Sequence, residues 1–374
     1  MPVACAYFKE NICRSCTLLQ MDYSGQILLK EETLKRALSP LSIPLLPTVR
    51  SPETGFRNKA KIVVTGTSEK PVLGLIEKEI LDCPVHDPVI NEILHDLIPF
   101  IRTAKLVPYQ IKEKKGELKG IIIFHGDESY VRFVLRSKEG LDRIRKNLPS
   151  LLSMHPEIKS VSVNIQPIHQ AILEGEEEIL LGPENFIQQN YDQFKLKLRP
   201  QGFVQTNQKV AIKLYSTAAE WVKEKNISQF LELFSGQGAF SFHAAEFVKA
   251  AVGIEVNAEA VKTASDTAQS LGMKHLSFLH LAAENSQEII ANKKPNLILV
   301  NPPRRGLAET LQILTKALPE YIIYSSCSVE SLGKDLKLLS PFYATEKVQI
   351  FDMFPHTEHF ETLVLLKRLS SIEA

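Results

Sequence analysis

"FLELFSGQGAFSFHAAEF", residues 230–247, runs apolar, passes through Gly236 and Gly238, and continues with helical spacing. Glycines at a strand end let the chain turn with positive φ and let backbone approach a ligand. Strand, glycine turn and helix in that order form the ligand-binding unit of a doubly wound parallel sheet. Downstream, "AAVGIEVNAEAVKTASDTAQSLG" (250–272), "LSFLHLA" (276–282), "PNLILVNPP" (295–303), "LAETLQILTKAL" (307–318) and "YIIYSSC" (321–327) keep strands and helices alternating. The alternation predicts an α/β, Rossmann-like domain over 197–374. "EKVQIFDMFPHTEHFETLVLLKR" (346–368) adds two strands joined by a polar turn, suited to an antiparallel finish.

Upstream the rhythm differs. "KIVVTGT" (61–67), "GIIIFHG" (120–126), "YVRFVLRS" (130–137), "VSVNIQP" (161–167) and "AILEGEEEILLG" (171–182) read as short strands, interrupted by helical patterns at 91–104 and 141–153. That mix predicts an α+β domain with a largely antiparallel sheet over 49–196. Residues 17–37 carry apolar side chains at three- and four-residue steps and predict an amphipathic helix. The proline-rich 39–56 stretch is a connector or irregular strand.

The chain has 374 residues, 44% hydrophobic and 23% charged, which fits a soluble protein of two or three domains. No apolar run approaches the roughly 20 residues that cross a bilayer, and the first residues lack an export signal, so the expected location is cytoplasmic. A net charge of +1 leaves a nucleic-acid partner open, because phosphate binding needs a local basic face. Lysines and arginines gather at 56–61, 112–119, 131–138 and 195–200, which suggests a shared basic surface. Five cysteines in a reducing compartment argue against a disulfide framework.

The strand ends carry the chemistry. After Phe234, the Gly236–Gly238 turn lacks the third glycine of a pyrophosphate fingerprint, Ser241 standing there instead. Glu255, ending the next strand, is placed to accept from ribose hydroxyls. Together they point to an adenosine ligand without pyrophosphate, S-adenosylmethionine above all. Asn301 in "VNPPRRG" can present a donor and an acceptor to a planar ring edge. Cys327 ends the following strand among serines, and a helix N-terminus after it would lower its pKa.

A thiolate beside a methyl donor has a specific use. Added to C6 of uracil, it makes the otherwise unreactive C5 a nucleophile. A base must then take the C5 proton. Glu361 is a suitable carboxylate, with Glu358, His356 and His359 as competitors on sequence alone. Cys5, Cys13, Cys16 and the remote Cys83 supply four thiolates, which suit a [4Fe–4S] cluster or structural zinc.

"RPQGFVQTN" (199–207), "LFSGQGAFS", "VNPPRRG", "YSSC" and "FDMFPHTEHFE" together resemble the RNA uracil-5-methyltransferases. "GFRNKAKIVVTG", "GELK", "RFVLRS" and "NIQP" narrow the likeness to the branch acting on uracil 747 of 23S ribosomal RNA. The resemblance implies a cysteine segment at 1–17 and a helix within 18–48 that docks on the methyltransferase domain. It also implies a central RNA-binding domain completed by Cys83. It makes Cys327 the nucleophile and Glu361 the proton acceptor. Gln205, Phe234, Gly236, Gly238, Glu255 and Asn301 would surround S-adenosylmethionine and the target base. Cys5, Cys13, Cys16 and Cys83 become [4Fe–4S] ligands. The implied partner is 23S rRNA, bound by a monomer without a membrane or an obligate protein partner. Two alternatives are the same chemistry on tRNA uracil 54 or 23S uracil 1939; no segment ahead of Cys5 is long enough for the β-barrel domain of the latter group. A third is a non-catalytic iron–sulfur RNA-binding module. One departure is Ala282, with Glu284 after it, where the family often carries an acid facing adenine.

Overall fold

Strand periodicity and helix caps place the elements. The computed structural model describes residues 3–41, 44–169, 174–200 and 202–370. The start of the 171–182 run lies outside the described residues; its remainder contributes a strand at Glu177–Leu180. The chain divides into two compact units, one over Thr17–Ser51 and Gly202–Ala374, the other over Val3–Cys16 and Pro52–Gln201.

In the second unit, β1 (Lys59–Gly66), β2 (Pro71–Leu75), β3 (Lys78–Glu79), β4 (Leu118–His125), β5 (Ser129–Leu135), β6 (Ile158–Ile165) and β7 (Glu177–Leu180) form one sheet in the order β3-β2-β1-β4-β5-β6-β7. Among the described strands of this sheet, only β5 and β6 pair in parallel, and the helix Leu141–Met154 makes their crossover. That helix and Pro88–Thr103 bury one face of the sheet, where Ile62, Ile121, Ile123, Val131, Phe133 and Val163 make the core. The other face holds a buried ion network: Arg132, 2% exposed, is bonded to Glu174 and Glu178. Arg132 therefore leaves the basic surface expected at 131–138, because two carboxylates already neutralise it. A hairpin of β8 (Ile187–Tyr191) and β9 (Phe194–Leu198) completes the unit.

In the other unit, β10 (Gln229–Leu233), β11 (Ala250–Glu255), β12 (Leu276–His280), β13 (Leu297–Val300), β14 (Tyr321–Ser326), β15 (Tyr343–Phe351) and β16 (Glu361–Arg368) stand in the order β12-β11-β10-β13-β14-β16-β15. The first five are parallel, and β16 inserts antiparallel between β14 and β15. The order reverses at β10, so its carboxyl end and that of β13 open a crevice. Because β16 runs the other way, its first residue lies at that same edge. The helix Tyr23–Leu38 starts at the Asp22 cap, later than the periodicity suggested, since Asp22 accepts from Gly25 N–H at 3.0 Å. It packs on the helix Val329–Leu339 so closely that a Cβ on Gly333 would stand 2.6 Å from the Ala37 carbonyl. The connector pairs with β15 through single bridges at Leu45–Val348 and Val49–Phe351.

Candidate active site

At the end of β10, Phe234 and Gly236 both take positive φ (61° and 52°), and Gly238 follows at 81°. The two glycines act differently. A Cβ on Gly238 would lie 2.5 Å from the Phe278 ring, whereas one on Gly236 would meet nothing within 4 Å. Gly236 thus borders open space, and Gly238 permits close packing of strand and helix. Glu255 is held at the end of β11: its Oε2 accepts from Gly236 N–H and its Oε1 from Asn257 N–H, both at 2.9 Å. In the same turn, Ser235 Oγ and Gln237 Oε1 are buried without a hydrogen-bond partner among the described residues. Buried polar atoms are ordinarily satisfied. An open glycine cradle, a fixed carboxylate and orphaned polar atoms fit an adenosyl ligand with an amino-acid arm.

Asn301 sits one residue beyond β13, its N–H on the Leu233 carbonyl at 3.4 Å. Glu284, in the turn that follows the carboxyl end of β12, lines a groove of about 1080 Å³ that extends along the next helix to Asn296 and Pro319.

Cys327 follows β14, half-buried, in a turn that Ser326 Oγ fixes by donating to the Ser328 carbonyl at 3.0 Å. The helix after it begins at Val329, with Ser328 as its cap. The thiol pKa is nevertheless raised, first by burial and then by the charge of Glu361; Arg304 lowers it. Here the expectation of a lowered pKa is corrected: desolvation and a nearby carboxylate outweigh the helix terminus. Glu361 is buried, and burial pushes its carboxyl up to about 8, opposed by a hydrogen bond from Gln205 and by Arg304. Gln205, expected near cofactor and base, therefore has its amide on Glu361. His356 is buried and engaged with Gln26, while Glu358 and His359 are exposed.

Arg304 is the residue that the sequence did not single out. It acts on both Cys327 and Glu361. Its loop is anchored by Asp335, whose Oδ2 accepts from Tyr324 O–H at 2.6 Å and from Leu307 N–H at 2.9 Å. Two arginines beside the prolines were visible, but only the fold shows which one meets the thiol.

In the other unit, Tyr7 O–H accepts from Leu81 and Asp82 N–H, tying the first cysteines to the loop before Cys83. Burial pushes Cys16 up to about 12, and the charges of Cys83, Cys13 and Cys5 add to it. The four thiols thus lie within electrostatic range of one another. Among the described residues, no three His, Cys, Asp or Glu side chains are grouped to hold one metal ion. Nor is any described helix long and apolar enough to cross a membrane.

The family model described as tRNA (uracil-5-)-methyltransferase matches residues 22–369. The chain is 43% identical to the 23S rRNA (uracil(747)-C(5))-methyltransferase RlmC of Shewanella loihica, covering 98% of this chain and 99% of that protein. It is 41% identical to the protein of that name from Haemophilus influenzae, at the same coverage. Among solved structures, the Pyrococcus abyssi tRNA (uracil-54, C5)-methyltransferase in complex with S-adenosyl-L-homocysteine superposes with a TM-score of 0.78 at 25% identity, over 94% of this chain and 85% of that one.

Proposed function

The chain belongs to the tRNA (uracil-5-)-methyltransferase family, and from that premise we propose that it methylates C5 of uracil 747 in 23S rRNA by covalent catalysis. The observation that carries the mechanism is the meeting of Cys327, Arg304 and Glu361 at one sheet edge. S-adenosylmethionine supplies an electrophilic methyl group, and Gly236, Glu255, Asn301 and the Phe234 turn would hold it.

The target base must leave its stack to reach a thiolate. Cys327 Sγ bonds to C6, and the displaced electron pair makes C5 nucleophilic. C5 takes the methyl group. Glu361 then removes the C5 proton, and the C6–S bond breaks to restore the ring and free Cys327. Arg304 stabilises both anions as each forms. Gln205 orients the Glu361 carboxyl, and Phe203, 72% exposed beside Gln205, offers a ring to stack on RNA.

Cys5, Cys13, Cys16 and Cys83 are the proposed [4Fe–4S] ligands, in a structural role. Mutual charge coupling supports this reading. Zinc needs all four sulfurs about 2.3 Å from one point, whereas a cluster gives each thiolate its own iron.

The choice of uracil 747 follows the curated relatives. It is tested with purified protein, labelled S-adenosylmethionine and three RNAs: the 23S hairpin containing uracil 747, the segment containing uracil 1939, and a tRNA. Label in the first alone is expected. Label in either of the others instead would reassign the target.

A further inference from the structure

Beside the apolar Ile27, Leu34 and Leu38, the helix Tyr23–Leu38 buries the polar Gln26 and Lys30, where an apolar face is usual. Tyr23, Gln26 and Lys30 recur at three- and four-residue steps and share one face. All three reach the segment Asp352–His356, more than three hundred residues away in sequence. Lys30 Nζ donates to Asp352 Oδ1 at 2.6 Å and to the Phe354 carbonyl at 3.1 Å. Tyr23 O–H donates to Asp352 Oδ2 at 2.7 Å and accepts from Ser51 N–H at 2.8 Å. Gln26 Oε1 accepts from His356 N–H at 2.8 Å, and its amide nitrogen lies 3.3 Å from His356 Nδ1. From another element, Asn207 Nδ2 donates to the Met353 carbonyl at 3.3 Å.

Lys30, Asp352, Gln26 and His356 are each at most 1% exposed. A buried ion pair is commonly no more stable than apolar residues of the same volume. What it supplies is a defined geometry. The segment it fixes joins β15 to β16, and Phe351, directly before Asp352, is the ladder partner of Glu361. His356 is further held at φ +64°, which a non-glycine residue adopts at a cost.

We infer that Tyr23, Gln26 and Lys30 are positioning residues for the reaction: by clamping Asp352–His356 they set the place of the Glu361 carboxyl against the C5 proton. The inference rests on the reading of Glu361 as the base. A purely structural helix would need only its apolar contacts with Val329–Leu339. The clamp instead acts on the strand connection that delivers Glu361.

The test uses the full-length Lys30→Met/Asp352→Leu variant, which removes both buried charges together. Its melting temperature is expected near the parent's, with KM values for S-adenosylmethionine and RNA within about twofold. Its kcat should fall by about ten- to a hundredfold, the scale on which misplacement by an ångström acts. The covalent RNA–protein adduct should accumulate on denaturing gels, because proton removal has slowed. A folded variant with parental kcat, or a loss of rate without adduct, overturns the inference. Should the double variant fail to fold, Tyr23→Phe removes one hydroxyl from the clamp. A several-fold loss of kcat with the same adduct supports the inference, and parental kcat overturns it. Glu361→Gln is run beside them. If it builds no adduct, the base assignment falls and the positioning role with it; if it builds adduct while the clamp variant turns over normally, only the positioning role falls.

Discussion

Cys327 and Glu361 leave two neighbouring antiparallel strands side by side: the last β14–β16 ladder pair is Ser326–Thr362, and each residue stands one step beyond it. The charge on Glu361 raises the thiol pKa, and Arg304 lowers both groups. Two anionic forms held together this way compete for ionisation, and a cation that acts on both shifts each toward its charged form.

The first prediction concerns pH. With Glu361 at about 8 and Cys327 raised above the usual thiol range, both reactive forms gain population as pH rises. The rate of the free enzyme, kcat/KM, should therefore climb through pH 8. Arg304→Gln removes the group that lowers both, so the climb should move to higher pH as well as losing amplitude. An unmoved or downward-shifted limb would contradict the shared role of Arg304.

The second concerns stability. In the folded protein Glu361 keeps a proton that the unfolded chain releases near the ordinary carboxyl value of 4.5. Its contribution is thus fully present below that value and is lost as pH rises through about 8. Glutamine has no proton to lose. The melting temperature of Glu361→Gln minus that of the parent should become more positive between pH 5 and pH 8, read by calorimetry. A difference independent of pH would contradict the burial account.

A third prediction separates the two glycines. Gly236→Ala adds a methyl into open space, so its stability cost should be limited to the backbone strain of alanine at φ +52°, about 1–2 kcal/mol, while affinity for S-adenosylmethionine drops at least about tenfold. Gly238→Ala drives a Cβ against Phe278, so its main cost should be stability, of order 1–3 kcal/mol. Titration calorimetry and thermal melts on the pair distinguish the two. Parental affinity in Gly236→Ala would remove Gly236 from the cofactor cradle.

Much of this site was legible in the sequence, for a physical reason. Parallel strands announce themselves as short apolar runs, and everything they deliver lands at their carboxyl ends, so Gly236, Glu255, Asn301 and Cys327 could be assigned to one edge before any coordinates. Glu361 could be included because an antiparallel strand begins where its parallel neighbours stop. What was not legible depends on contacts remote in sequence. Arg304 and Arg305 are indistinguishable as neighbours, and only the Asp335 anchor shows which loop conformation brings one to the thiol. The pKa of Cys327 was expected to fall from its place before a helix, but burial and Glu361 are properties of packing. Arg132 read as part of a basic surface until Glu174 and Glu178 were found across the sheet. Lys30 lies in the helix that the periodicity predicts, but its buried partner, Asp352, is more than three hundred residues away and no local pattern announces it.

The fourth prediction addresses the upstream cysteines. Protein purified without oxygen should carry about four irons with matching sulfide and a broad visible absorbance, both lost in Cys83→Ser, while Cys327→Ser keeps them. One zinc and no iron would replace the cluster with a structural ion.

The central claim is a transient bond between Cys327 Sγ and C6 of uracil, and the most direct measurement is mass spectrometry of a trapped complex. Full-length protein is incubated with S-adenosylmethionine and hairpin RNA carrying 5-fluorouridine at the target position, whose C5–F bond prevents proton removal. After nuclease and protease digestion, the peptide containing Cys327 should carry the mass of a methylated fluorouridine nucleotide, and Cys327→Ala should yield none. Methyl transfer to ordinary RNA by Cys327→Ala at the parental rate, or an adduct mapped to another residue, would contradict the account.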